Sequence, residues 1–323
     1  MANLILKARL ALELPGINAA LGRAAARLPA PVQPVARHIF EAGGKRLRPF
    51  LTVLMARLLG YRQDNVRDLA ITLEMLHAAT LLHDDVLDNA ASRRGQPSAH
   101  TLFGVASTIL AGDALLAEAN ALVADFGDVR LTRVFSEATS QTAAGEILEI
   151  AAQRRVDVSA EEYAAIVRGK TAWLIRAACE MGALLAGGTD AQVAAAASYG
   201  ENVGMAFQMV DDAIDFAPES VTGKPTGGDA REGKLTPPLR LYRDSLEETE
   251  RLAFDAAFTC GLLTGADAAA IAERIREAGF DSQTRQAAED YLSRARAALA
   301  SLPAVDECAL LHQVADYVRD RKK

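Results

Sequence analysis

Apolar residues recur every three to four positions along most of the 323-residue chain, and no stretch shows the alternation of period two that marks a half-buried strand. The pattern predicts a run of helices. Two cover residues 1–42, broken near Pro15 and again by the proline-rich stretch Pro29 to Pro34. The turn GGKRLRP, Gly43 to Pro49, feeds an apolar helix. A long helix spans Asp68 to Asp88, a loop follows at Gly95 to Pro97, and two more helices cover Thr101 to Asp125 and Leu131 to Gln153. Ser159 with Glu162 three residues on has the form of a capping box, opening a helix that carries Lys170, Thr171 and Trp173, the last read as core. After a turn at Gly187, Gly188 and Asp190, a helix runs from Ala191 to Phe216. The glycine-, proline- and charge-rich segment Ala217 to Lys234 reads as a mobile loop. Thr236 and Pro237 then read as an N-cap and first helical residue, with two to four helices after them.

Composition agrees with packed helices. Hydrophobic residues make up 50% and alanine is abundant, while aromatics are only 5%. A net charge of −7 and the lack of a basic stripe exclude nucleic acid as a partner. Cys179, Cys260 and Cys308 are few and far apart, which suggests reduced thiols in the cytosol. No long uncharged apolar run is present, so no membrane span is expected. Lys7, Arg9 and Glu13 interrupt the apolar start of the chain, which argues against a signal peptide and for an amphipathic helix. That helix either packs on the body or touches a membrane surface.

The chemistry is concentrated in acidic clusters. In LLHDDVLD, Asp84 and Asp88 lie one helical turn apart on one face, with Asp85 about 100° round. Three carboxylates so close repel one another and call for a cation, and Mg²⁺ typically shares its oxygen shell with water and phosphate. Arg93 and Arg94 follow, offering planar forks for phosphate. The pattern recurs in FQMVDDAIDF, where Gln208, Asp211, Asp212 and Asp215 have the i, i+3, i+4, i+7 spacing of one face. One acidic trio reads as a solvated helix end; two, each closing an apolar run, do not. Bound metal also reconciles an acidic chain with an anionic ligand. The basic residues Lys45, Arg46 and Arg48, just ahead of a helix, form an anion site. His77 aligns with Asp84, whereas His83 lacks such support and reads as structural. Lys170 sits among apolar neighbours and needs a partner, either an acid or a ligand. Lys224 and Lys234, on the glycine-rich segment, read as a flap closing over phosphates.

These motifs, GGKRLRP, LLHDDVLD with RRG behind it, GKT, and FQMVDDAIDF followed by GKPTGGD, resemble in sequence and order those of the trans-isoprenyl diphosphate synthases. The resemblance covers roughly Gly43 to Pro238. It implies an all-α isoprenoid-synthase-type helical bundle around a deep central cavity, a single polyprenyl synthetase domain over residues 1–323, and a homodimer; the sparse cysteines point to the cytoplasm, and the N-terminal helix allows at most peripheral membrane contact. It further implies that Asp84, Asp85 and Asp88 and, from across the cavity, Asp211, Asp212 and Asp215 hold two or three Mg²⁺ ions. Arg93 would help bind an allylic diphosphate, with Lys224 and Lys234 closing on it. Lys45, Arg48, His77 and Arg94 would bind isopentenyl diphosphate. Lys170, Thr171 and Gln208 would line the reacting centre.

In the resembled family, aromatic residues four and five positions before the first aspartate accompany short products. Here those positions hold Thr80 and Ala79, and no two-residue insertion separates Asp85 from Asp88. The expected product is therefore long, octaprenyl to decaprenyl diphosphate for a respiratory quinone, unless Leu73, Leu76, Ile147 or Leu148 forms a floor. The alternatives are a farnesyl or geranylgeranyl synthase, a class I terpene cyclase, and a non-catalytic subunit of a heteromeric synthase. Asp215 stands where a cyclase usually carries Ser or Thr, and no motif residue is missing as it tends to be in a silent subunit.

Overall fold

The computed structural model describes residues 2–93 and 95–322. The helices in chain order are α1 (Ala2–Arg27), α2 (Gln33–Glu41), α3 (Leu47–Leu58), α4 (Val66–Leu87), α5 (Ala99–Phe103), α6 (Val105–Ala124), α7 (Val129–Ala152) and α8 (Ala160–Val167). A π-helical turn, Arg168–Ala172, joins α8 to α9 (Trp173–Leu185). Then come α10 (Asp190–Asp215), α11 (Glu219–Thr222), α12 (Gly228–Glu232), α13 (Pro237–Asp244), α14 (Glu248–Thr259), α15 (Gly265–Ala278), α16 (Phe280–Leu299) and α17 (Asp306–Arg319). Among the described residues, the only strands are β1 (Ser92–Arg93) and β2 (Gln96–Pro97), paired antiparallel with Arg93 opposite Gln96.

Contacts divide the chain into two compact units. Unit 1 comprises residues 1–139, 177–197 and 301–311; unit 2 comprises 140–176, 198–300 and 312–323. In unit 1, α4 is apolar nearly all round and packs against α1, α3 and α6. Leu51, Leu54, Met55, Leu69 and Leu73 are fully buried there. In unit 2, α13, α15 and α16 close around Phe216, Leu239, Phe258, Ala272 and Ile275.

Several elements differ from the sequence reading. Helix α1 runs straight through Pro15, whose lost hydrogen bond is outweighed by packing on both sides of it. Glu13 is buried between Arg57 and Arg67, and Ile17, Ala20 and Leu21 are buried one and two turns on. The reading of this helix as packed on the body holds. Gly104, at φ +83°, splits the helix expected from Thr101 to Asp125 into α5 and α6. Among the described residues five helices, the first beginning at Pro237, follow Thr236 rather than two to four. Ala217 to Lys234 contains two helical turns and is tied down in its second half, with the Gly227 N–H on the Asp215 carbonyl and the Arg154 N–H on that of Gly233. Among the described residues α6 alone is long and apolar enough to cross a membrane; it carries Asp113 and Glu118, the latter paired with Arg27. Trp173 is half-buried, with the Arg176 guanidinium 4.5 Å above its ring, rather than a core residue.

Candidate active site

The first acidic trio closes α4 in unit 1, where its three carboxylates are not equivalent. Asp84 is half-buried, Asp85 only 1% exposed, and Asp88 exposed at the helix C-cap, its N–H on the Asp84 carbonyl at 2.8 Å. Arg93, placed by the β1–β2 hairpin, donates from Nε to Asp85 Oδ1 at 2.7 Å. One of the two phosphate forks expected from the sequence is therefore already bound to the trio. Arg94 lies outside the described residues. His77 stands half-buried two turns before Asp84. His83 is structural as expected: its Nε2 lies 3.1 Å from the Ile109 carbonyl, and Gly112 leaves room for the ring.

The basic turn sorts its three cations. Arg46 adopts a left-handed conformation, φ +46°, and points inward, donating to Glu74 at 2.7 Å and to the Phe40 carbonyl at 2.6 Å. Lys45 is left exposed and Arg48 half-buried at the start of α3. Arg46 therefore shapes the turn that presents the other two. Arg46→Met would leave Glu74 buried without its cation, at a cost of about 3–5 kcal/mol. Thermal unfolding of Arg46→Met should show that loss, while Lys45→Met should melt close to the parent protein.

Unit 2 gathers the second set of residues. Gly145 of α7 and Gly169 of the π turn meet backbone to backbone: a Cβ on Gly145 would lie 2.2 Å from the Lys170 nitrogen, and one on Gly169 would lie 2.7 Å from the Gly145 Cα. This approach sets Glu146 and Glu149, one turn apart on α7, against Lys170, whose Nζ is 2.7 Å from each. Lys234 reaches the same Glu149 at 3.4 Å and Glu232 at 2.8 Å. On the other side of the turn, the Thr171 hydroxyl donates to Gln208 Oε1 at 2.9 Å, and Gln208 Nε2 donates to Asp212 Oδ1 at 2.8 Å. A cavity of about 140 Å³ is lined by Lys170, Thr171, Gln208, Asp212, Asp229 and Lys234 on its polar side and by Ala152, Val158, Ile166, Val167 and Leu235 on its apolar side.

Lys234 is thus anchored rather than riding on a free flap, and Lys224 stands exposed at a turn outside the cavity lining. Thr236 is the N-cap residue of α13 as expected, but its side chain makes no capping hydrogen bond; the hydroxyl is buried, and the residue lines the cavity. Asp211 pairs with Arg321 at 2.8 Å, a residue near the chain end that the sequence reading passed over. Glu149 and Tyr163 likewise stand outside every motif, and Asp229, the last residue of GKPTGGD, enters as a further acid of the cavity. The i, i+3 pairing of Glu146 with Glu149 was the available signal for the first.

The electrostatics of this cavity favour cations. Burial works against the Lys170 and Lys234 ammonium groups, yet Glu149 and their other acidic neighbours overturn it and hold both above the ordinary lysine range. Burial likewise opposes the Glu149 carboxylate, which the two lysines bring below its usual value. Asp212 is pushed up to about 7, chiefly by burial, against the hydrogen bonds from Tyr163 and Gln208. Burial and then the charges of Asp215 and Asp212 push Asp229 well up, and its Oδ2 is shut from solvent with no hydrogen-bond partner. Crowded, raised carboxylates with an orphaned oxygen are what a divalent cation relieves. Among the described residues no three acidic or metal-ligating side chains already close around one point, so a cation here would draw further oxygens from water or a bound phosphate.

The sequence matches the Polyprenyl synthetase family over residues 29–258. It is 34% identical over 295 residues to a short chain isoprenyl diphosphate synthase of Methanothermobacter thermautotrophicus, covering 88% of this chain and 89% of that one. The fold superposes on a decaprenyl diphosphate synthase from Rhodobacter capsulatus with TM-score 0.91 and 37% identity, over 99% of both chains. It also matches a polyprenyl synthase from Caulobacter crescentus, complexed with calcium and isoprenyl diphosphate, with TM-score 0.91 and 36% identity over 98% of both. The all-α class read from the helical patterning, the isoprenoid-synthase bundle implied by the motif resemblance and the diphosphate chemistry read from the paired acidic motifs thus meet in one assignment: the chain belongs to the polyprenyl synthetase family and is a trans-prenyltransferase.

Proposed function

We propose that this prenyltransferase extends an allylic diphosphate with isopentenyl diphosphate to an octaprenyl to decaprenyl chain that becomes the tail of a respiratory quinone. The chemistry rests on one observation above all: Lys170, Thr171, Gln208, Asp212 and Lys234, each singled out by its motif, line the same cavity. Lys170 and Lys234 stabilise the charge that develops on the departing diphosphate. Oxygen lone pairs of Thr171 and Gln208 face the allylic cation, and the apolar wall keeps water from it. The double bond of isopentenyl diphosphate attacks, and the released diphosphate takes the proton. Arg93 and Lys224 contribute to the allylic diphosphate site, and Lys45, Arg48, His77 and Arg94 to that of isopentenyl diphosphate. Asp84, Asp85 and Asp88 with Asp211, Asp212 and Asp215 are the residues that would hold two or three Mg²⁺ ions, and a calcium-bound relative of 36% identity supports a divalent cation. When bound, Mg²⁺ neutralises the diphosphate and makes it a better leaving group.

The long product is supported by the small side chains at Thr80 and Ala79. Ala79 is buried in α4, and the Thr80 hydroxyl is turned back onto the His77 carbonyl at 2.9 Å. Of the possible floors, Leu73 and Leu76 are buried in the core, while Ile147 and Leu148 are 66% and 47% exposed. A short-chain product remains the second reading, favoured by the short-chain relative at 34% identity. Incubation with labelled isopentenyl diphosphate, Mg²⁺ and each allylic primer, followed by sizing of the product, separates the two. Ala79→Phe should shorten the product on a thin-layer assay; an unchanged length would remove the argument from Ala79.

Residues 1–323 act as one polyprenyl synthetase domain in this reading, and the protein works in the cytoplasm with at most peripheral membrane contact. The homodimer reading gains support from α5 and α6, which expose the apolar side chains of Leu102, Val105, Ile109 and Leu110 for a second copy to cover. Light scattering behind gel filtration tests it: a monomer mass at assay concentration would overturn the dimer.

A further inference from the structure

The acidic motif of α10 is supported by a residue outside every motif. The capping box at Ser159 and Glu162 fixes the first turn of α8, and the Tyr163 N–H closes on the Ser159 carbonyl at 3.0 Å. The Tyr163 ring packs with Val167, Ala172 and Met205. Its hydroxyl donates to Asp212 Oδ2 at 2.5 Å, while Gln208 Nε2 donates to Oδ1 at 2.8 Å. The other end of the Gln208 amide is held as well, its Oε1 accepting the Thr171 hydroxyl at 2.9 Å. Each oxygen of Asp212 therefore receives one neutral donor, from two different helices. Gln208 alone would leave the carboxylate free to rotate about its last bond. With Tyr163 on the second oxygen, the plane of the group is set and further lone pairs on both oxygens remain to be used.

We propose that Tyr163 is a positioning residue for the prenyltransferase reaction: its hydroxyl, opposite Gln208, fixes the plane in which Asp212 presents its oxygens to a divalent cation. The inference rests on the reading of Asp212 as a metal ligand. A phenylalanine would fill the same place in the core, so packing alone does not call for the hydroxyl. Groups that orient metal ligands in this way typically contribute about 10–100-fold in metal affinity.

The test is Mn²⁺ binding to the full chain with inorganic pyrophosphate, followed by electron paramagnetic resonance without turnover, for the parent protein, Tyr163→Phe and Asp212→Asn. Tyr163→Phe should bind Mn²⁺ about 10–100-fold more weakly. It should need correspondingly more Mg²⁺ for half-maximal rate, and its KM for isopentenyl diphosphate at saturating Mg²⁺ should be unchanged. Tyr163→4-aminophenylalanine, which keeps ring and donor, should restore the affinity. Weak binding by Asp212→Asn together with parental binding by Tyr163→Phe overturns the role of Tyr163 alone. Parental binding by Asp212→Asn overturns the metal reading beneath it. If Tyr163→Phe melts early, binding is read below its transition, and a loss that 4-aminophenylalanine fails to restore also overturns the proposal.

Discussion

Lys170→Met should lower kcat by a factor on the order of 10²–10³, the usual effect of removing one preorganised group aimed at developing negative charge. Methionine keeps an unbranched, apolar side chain of nearly the same reach and removes the ammonium. In the parent chain that ammonium sits 2.7 Å from both Glu146 and Glu149, which hold it charged despite burial. A diphosphate entering the cavity finds Lys170 already a cation and already oriented, so little reorganisation remains for the reaction itself. KM for isopentenyl diphosphate should stay near the parent value, because Lys170 serves the departing diphosphate. The variant should also lose stability, about 1–3 kcal/mol, since Glu146 and Glu149 then face each other with only Lys234 beside the latter. Single-turnover kinetics with a saturating primer, run beside thermal unfolding, separates the two effects. A rate within threefold of the parent in a folded variant would remove Lys170 from the reacting centre.

Gly145→Ala should be the most damaging glycine-to-alanine change among the described residues. Its Cβ would meet backbone atoms, the Lys170 nitrogen at 2.2 Å and the Gly169 carbonyl carbon at 2.6 Å, none of which can swing aside as a side chain could. Overpacking typically costs about 1–3 kcal/mol, and this contact belongs at or beyond the upper end. The alternative to unfolding is separation of α7 from the π turn, which pulls Glu146 and Glu149 from Lys170. A displacement of roughly 1 Å at such a centre is worth about 100-fold in rate. Gly22→Ala is the control: no atom beyond its own helical turn lies within 4 Å of the added methyl, so alanine at that exposed position of α1 should be neutral or stabilise by up to about 1 kcal/mol. Equal melting temperatures for Gly145→Ala and the parent would contradict the close approach.

The chemistry was more legible in the sequence than the packing. Asp84, Asp88, Gln208, Asp211, Asp212 and Asp215 announce themselves because helical spacing converts directly into a shared face. The capping box at Ser159 is legible for the same reason, since all its partners are local. Pro15 misled because the packing that carries α1 through it comes from residues such as Arg57 and Arg67, far along the chain. Lys234 was read as mobile because glycine and proline describe a segment's intrinsic freedom and not the Glu149 that awaits it. Arg46 was indistinguishable from Lys45 and Arg48 by composition; only its left-handed backbone turns it onto Glu74. Tyr163 gave no signal, because a single tyrosine outside a repeated spacing is compatible with any surface; Asp229 closes the GKPTGGD motif, but nothing local in the sequence shows that the chain folds it back against Asp215.

The π turn at Arg168–Ala172 bears on how this site can change. Its Trp173 N–H reaches back to Arg168, so the turn holds one residue more than an α-helical turn would. Removing that residue would restore a regular helix and rotate everything on one side of it by about 100° against the other. The polypeptide would gain regularity while Lys170 and Thr171 lost their common outlook. A chain with such a deletion would carry a more regular helix, yet lose both the pairing of Lys170 with Glu146 and Glu149 and the site those residues build.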